Sequence, residues 1–363
     1  MAKTREPTKP KPPNTTEQLL SRQMDAISEV FRSFGAKYDL CSNRRPLFLS
    51  DTVQLTVPTP IDLAAWKSKL SQLQSSLLPL LRHQIKTLSS SLDPSDLRKD
   101  KCHKLELIVQ LQSELGHTMG QVVSCATFIS PRPLFSPIET DDHYLKDLKE
   151  FRRKKLFFKV SFLTRELSFL FGYCATLIQQ LKLSRNKYRR EARRLNARGM
   201  IIKFSGSASD SIDSLIRWSQ GHEMEIIHQE WDLGLSGMDE VLANLAGLDS
   251  PAVATGNADE DDQTETDGAS EPVIQLARYA QPIAKLSRLF FRKLATSRLN
   301  PSPLHPFTDM STDQLTQLCG SAALIGCHLG SIFKSLNINP QETVEADLAA
   351  ALIETVNRTV EIF

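Results

Sequence analysis

Glycine and proline are scarce, at 15 and 19 in 363 residues, about 9% together where roughly 12% is usual. That excludes a collagen-like or low-complexity chain and argues against a turn-rich β protein. No C-x-x-C pair occurs among the six cysteines, Cys41, Cys102, Cys125, Cys174, Cys319 and Cys327, so neither a zinc ribbon nor a thioredoxin-type pair is encoded. The motifs G-x-x-x-x-G-K-[ST], G-x-G-x-x-G and G-x-S-x-G are all missing, which argues against P-loop, Rossmann and nucleophile-elbow chemistry. The basic, proline-rich start MAKTREPTKPKPPN is followed by no apolar run, so a cleavable secretory signal is not expected. Charge is nearly balanced as well, 44 Lys and Arg against 42 Asp and Glu, and selects no class of partner.

What is present reads as helix. With 40% hydrophobic and 24% charged residues, the chain can bury one or two full cores. Asn14-x-x-Glu17 resembles a capping box before Leu20, Met24, Ile27, Phe31 and Phe34, and Gly35 is placed to end that helix. Thr59-Pro60 should cap a second helix running to Leu88, kinked or broken at Pro79. Asp93-Pro94-Ser95 opens a third to about Phe128, with Ile108, Leu111, Leu115, Met119 and Val122 inward. Asp141 to Leu183 predicts one very long helix or two, with Leu145, Leu148, Phe151, Phe158, Phe162, Phe169 and Leu170 supplying apolar contacts. Further helices are expected over Ser209 to Trp231, Met238 to Leu248, Pro272 to Ser297, Ser311 to Leu336 and Glu342 to Ile362. Val53, Leu55 and Val57 alternate like a strand without a partner.

The expected fold is all-α, a multi-helix bundle of long antiparallel helices. Residues 1–13 form a disordered tail and 14–248 the main bundle. Residues 249–271, with eight acidic side chains and no Lys or Arg, form a disordered acidic linker. Residues 272–363 supply three more helices that complete the same bundle. Gln314 to Phe333 carries no Asp, Glu, Lys or Arg. Its Gln, Ser, Thr, His and Gly content argues for a helix buried on several sides and against a membrane span.

Glu-x-x-His occurs twice, as Glu114–His117 and Glu225–His228, the spacing used in pairs by di-iron bundles. His117 shares its stripe with Gln110, Ser113 and Gln121, the polar side of its helix, so a rim histidine is expected and no metal. His222-Glu223 resembles the start of a zinc motif, but the next histidine, His228, lies on another face. No catalytic residue or cofactor is expected. Gly116/Gly120 and Gly326/Gly330 should let helices approach closely.

The strongest local signal is basic. Nine cations lie between Lys182 and Lys203 against Glu191 alone. Arg185, Lys187, Arg189, Arg190, Arg193, Arg194 and Arg198 are the candidate polyanion-binding residues, arranged around a stripe of Tyr188, Ala192, Leu195 and Ile202. The alternative is that they face the chain's own acidic linker. Arg152-Arg153-Lys154-Lys155 looks like a short nuclear-import signal.

Four strings carry a resemblance: Ser95-Asp96-Leu97-Arg98-Lys99, Thr140-Asp141-Asp142-His143-Tyr144-Leu145-Lys146, Asp213-Ser214-Leu215-Ile216-Arg217-Trp218 and Leu286-Ser287-Arg288-Leu289-Phe290-Phe291. They resemble a lineage-restricted, uncharacterised family of helical proteins in rust fungi, from which no catalytic residue is carried over. In layout alone, the acidic Asp259-Glu260-Asp261-Asp262 followed by Ile274, Leu276, Ile283, Leu286 and Leu289 is similar to the cyclin-D-binding helical protein family. That likeness implies a protein-interaction role. The expected function is therefore a non-enzymatic, intracellular helical interaction protein with an unidentified protein partner. Binding of nucleic acid or another polyanion through residues 182–203 is the alternative, and an enzyme with an unrecognised site stands third. The expected location is the cytoplasm, with the nucleus as the alternative, and no membrane.

Overall fold

A computed structural model of the chain describes residues 15–41, 59–130, 141–249, 271–296 and 307–337. The fold class is all-α, and the described residues contain no strand. The helices are α1 (Thr15–Tyr38), α2 (Pro60–Gln72), α3 (Leu78–Ser91), α4 (Pro94–Lys99), α5 (Lys101–Ile129), α6 (Glu150–Leu181), α7 (Arg185–Arg194), α8 (Ala197–Gln220), α9 (Glu223–Asp249), α10 (Glu271–Thr296) and α11 (Thr312–Asn337). The capping signal at Asn14, the alternation at 53–57, the acidic segment 250–270 and the helix read over 342–362 lie outside the described residues.

The chain divides into two compact units, one of residues 1–137 and 152–220, the other of residues 138–151 and 221–363. In the first unit, α1 runs one turn past Gly35. The glycine is needed there for contact: a Cβ on it would sit 2.9 Å from the Ser168 Oγ of α6. Beyond it, Tyr38 donates its hydroxyl to the Gly116 carbonyl of α5 at 2.8 Å, and the buried Gln112 amide donates to the Ile27 carbonyl at 2.8 Å. Phe171 of α6 meets Phe31 and Phe34 with centroids 6.1 and 5.5 Å away. The expected stripe Ile108, Leu111, Leu115, Met119 and Val122 is buried throughout.

Thr59 and Asp62 form the full capping box before Pro60. Pro79 does not break the helix. The turn before it, Leu73–Leu77, widens to a π-helix, which relieves the clash of the proline ring with the preceding carbonyls. The segment from Asp93 is two helices, because Asp100 leaves helical geometry and caps α5 by accepting from the His103 N–H. On α6 the core side is Leu156, Phe157, Val160, Leu163, Leu167 and Phe171, whereas Phe158, Phe162 and Phe169 are nearly half exposed. The aromatic spacing was thus a poor guide to the buried face. Phe158 packs on Phe162 with centroids 4.6 Å apart, and Phe169 on Phe204 at 5.7 Å.

The helix expected over 209–231 is also two. It breaks at Gly221-His222, where the His222 ring nitrogen accepts from the Met224 N–H at 3.1 Å and starts α9. In the second unit α9 packs against α10 and α11, which also touch each other. Trp231 donates its indole N–H to the Leu318 carbonyl at 2.8 Å and packs edge-on against Phe291 at 5.4 Å. α11 buries a single stripe, Leu315, Cys319, Ala322, Ile325 and Leu329, and leaves Leu324 44% exposed. Among the described residues it is buried along one face, with Gln317, Ala323, Leu324 and Cys327 exposed on the other. No described helix is long and apolar enough to cross a membrane.

A polar cluster with Asp142, Lys149 and Glu223 completely buried fixes the start of this unit. A short 3-10 turn (His143–Leu148) leads to Lys149, whose ammonium donates to Glu223 Oε2 at 2.9 Å and to the Thr308 carbonyl at 2.6 Å. Thr308 returns its N–H and hydroxyl to the same Glu223 oxygen at 2.8 and 2.7 Å. Asp142 accepts from the Glu150 N–H at 2.8 Å, and from the Thr312 N–H and hydroxyl at 2.7 and 2.6 Å. One carboxylate thereby caps both α6 and α11. Asp142 serves two helices, each across a gap in sequence.

The glycine pairs behave as expected. Gly116 lies under Phe34, and Gly326 faces the Gly234 carbonyl and Met238 across the α9–α11 contact. At Gly234 a Cβ would lie 2.8 Å from the Ala322 Cβ and 2.9 Å from the α11 backbone. Gly234→Ala should therefore cost about 1–3 kcal/mol by forcing α9 and α11 apart. Gly237→Ala, with nothing within 4 Å, should instead stabilise by roughly 0.5–1 kcal/mol through helix propensity. Urea denaturation of the two variants checks the opposite signs.

Candidate functional site

Six of the seven candidate polyanion-binding residues come together. Arg185, Lys187, Arg189, Arg190, Arg193 and Arg194 are all exposed on α7, a ten-residue helix about 14 Å long. Arg185/Arg189, Arg189/Arg193 and Arg190/Arg194 are like-charge i,i+4 pairs, each costing a few tenths of a kcal/mol until a counter-charge arrives. Tyr188 is half-buried beneath the Arg98 guanidinium, 4.2 Å from its ring centroid, and so orients α7 against α4.

Arg198 does not join them. The helix breaks at Leu195, which is extended, and Asn196 caps α8 by accepting from the Gly199 N–H at 2.9 Å. Arg198 turns inward to donate to the Ser89 carbonyl at 2.5 Å and pairs with Asp93 at 3.7 Å. The same break removes the expected continuous stripe, leaving Ile202 on α8 and 55% exposed. Lys182 is likewise engaged, with Asp25 at 2.6 Å, which holds that carboxyl below the usual range.

The basic tetrad at 152–155 is not an exposed signal. Arg152 and Arg153 are buried. Arg152 donates to the Ser219 carbonyl at 3.0 Å, and Arg153 to the Ile129 carbonyl at 3.5 Å with its guanidinium 4.2 Å from the Trp66 ring. Their long apolar stems suit interior positions once carbonyls receive the charged ends. Of the Glu-x-x-His pairs, Glu114 and His117 are exposed, and Glu114 accepts from Gln110 at 2.9 Å. His228 is partly buried beside Trp231, and burial lowers its pKa despite Asp232 and Glu225. No three His, Cys, Asp or Glu side chains among the described residues are grouped to hold a metal.

A second surface was missed from the sequence. α10 packs through small residues, Ala277, Ala280 and Ala284, with Phe291. Its larger apolar side chains point outward: Tyr279 is 73% exposed, Ile283 40%, Leu286 66% and Leu289 60%. Tyr279, Ile283 and Leu286 lie within about 60° of arc. Lys285 and Arg292 run along one flank and Lys293 closes the C-terminal end, all three exposed. The signal lay in the alanines, whose spacing marks a tightly packed side even though hydropathy favours the leucines.

Two family models match the chain. One, described as a domain of unknown function (DUF8723), matches residues 66–220. The other, also described as a domain of unknown function (DUF8721), matches residues 222–363. No curated protein and no solved structure matches. The matches meet at Gly221, where the helix breaks and the two compact units divide. They differ from the structure over residues 141–151, which lie inside the first match but pack in the second unit.

The six cations of α7 yield a salt-dependent expectation. Fluorescence anisotropy should show weak duplex binding at low salt that vanishes near about 0.15 M, where the Debye length is about 8 Å. Replacing Arg185, Arg189, Arg190, Arg193 and Arg194 by Gln should abolish the low-salt binding without lowering the melting temperature. Tight binding that persists at the higher salt would make polyanion recognition the principal activity.

Proposed function

We propose that the protein is a non-enzymatic helical interaction module whose docking surface is the outward face of α10. The observation that carries this reading is the exposure of Tyr279, Ile283, Leu286 and Leu289 on a helix already packed on its other side. These side chains form one exposed apolar stripe along the helix, and such patches are often functional on soluble proteins. Their spacing suits the anchors of a helix lying alongside. Lys285, Arg292 and Lys293 favour a partner helix with an apolar stripe and acidic flanks. The layout likeness to the cyclin-D-binding helical proteins agrees with an interaction role, while the rust-fungal likeness adds no chemistry. An intracellular, reducing setting suits six free cysteines, of which Cys125, Cys174 and Cys319 are buried. Burial pushes the thiol pKa of Cys125 and Cys174 up. Polyanion binding through α7 is retained as a second reading because its six exposed cations carry uncompensated like-charge pairs.

The test is a photo-crosslinking residue in place of Tyr279 in the full chain, with the adduct mapped by mass spectrometry. The expected adduct lies on an acidic amphipathic helix of a partner protein and disappears in a Leu286→Glu background whose melting temperature is unchanged. Adducts that persist in that background, or that map to non-helical or basic segments, would overturn the assignment.

A further inference from the structure

An open cleft of about 340 Å³ lies in the first unit between α1, α2 and α5. It is lined by two lysines, Lys37 and Lys69, and by His117, with Tyr38 and Gln72 as polar walls and no carboxylate. Neither lysine meets a carboxylate among the described residues. Lys69 donates to Gln72 Oε1 at 3.2 Å, and Lys37 lies 5.0 Å from the Tyr38 ring centroid. Gln72 thus orients one ammonium while its own amide N–H groups remain available to a ligand. The Tyr38 hydroxyl proton is committed to the Gly116 carbonyl at 2.8 Å, which locks the ring as a wall. Gly116 and Gly120, among the lining residues, keep the α5 floor low beneath it. Cys125, also lining the cleft, is held as the neutral thiol by burial and adds no negative charge.

We propose that this cleft binds a small phosphorylated compound. Two ammonium groups and an imidazole converge on one open volume with no internal counter-charge, an arrangement stabilised by a ligand carrying more than one negative charge. Lysines act as point charges toward phosphate, whereas planar carboxylate recognition favours the arginine fork that this cleft lacks. The volume is at the lower end of small-molecule sites, which suits a phosphate ester. The cleft is made by α1, α2 and α5, so it is separate in its residues from the cations of α7.

Calorimetric titration of the full chain with inorganic pyrophosphate tests the assignment. The expected result is saturable one-to-one binding with Kd on the order of 1 mM or tighter. Lys37→Gln combined with Lys69→Gln should weaken it at least about tenfold. Gly120→Asp should abolish it, because a Cβ there meets only Tyr38 at 4.0 Å and the new carboxylate enters the cleft without a clash. Melting curves establish that both variants fold, and the five-Gln variant of α7 should bind as the parent does. Absence of saturable binding, equal affinity in the folded lysine variant, or loss of binding in the α7 variant would each overturn the proposal.

Discussion

The ammonium of Lys149 and the carboxylate of Glu223 are both completely buried, and the start of the second unit depends on their staying paired. Burying either charge alone costs several kcal/mol, and the pair needs further hydrogen bonds to its charged ends. Thr308 supplies three of them, accepting from the lysine and donating twice to Glu223 Oε2, whereas the buried Oε1 has no hydrogen-bond partner among the described residues. Asp142 extends the cluster by capping α6 and α11 together. The consequence reaches beyond local stability. Residues 141–151, embedded in sequence within the first family match, pack in the unit that follows Gly221. The chain is therefore interleaved, and cutting it at the boundary between the matches would leave Glu223 buried without its counter-ion.

Much of the helical framework was legible because apolar residues recur every three or four positions wherever a helix has one wet side. The stripes of α1 and α5 are of this kind, and the caps at Thr59 and Asp93 were legible from the residue types beside a proline. The failures share a physical cause. Aromatic residues such as Phe158 and Phe162 outweigh Leu163 and Leu167 in a hydropathy reading, yet the leucines fill the core while the phenylalanines pack on each other at the surface. Arg152 and Arg153 look like an exposed basic motif until Trp66, Trp218 and two carbonyls from distant segments are brought alongside. The pairing of Lys149 with Glu223, 74 residues apart, has no local signature, since each residue type is ordinarily found in water.

The candidate sites follow the same rule. The cations of α7 were evident because they are contiguous, and the structure keeps six of them on one short exposed helix. Arg198 was lost because Asn196 caps a new helix between it and the others. The α10 surface and the cationic cleft of the first unit were hidden for a different reason. One depends on which of two apolar stripes faces inward. The other depends on Lys37, Lys69 and His117 arriving from three separate helices. Both sites assemble few residues over a rigid helical scaffold, the arrangement in which small sequence differences alter binding without altering the fold.

The central claim is that the buried Lys149–Glu223 pair holds residues 141–151 in the second unit. A double-mutant cycle with Lys149→Met and Glu223→Leu in the full chain, read by chemical denaturation, tests it most directly. Each single substitution should cost about 3–5 kcal/mol by stranding a buried charge. The double variant should cost less than the sum by at least about 2 kcal/mol, as coupled neighbours do. Single variants within roughly 0.5 kcal/mol of the parent, or losses that simply add, would contradict the account.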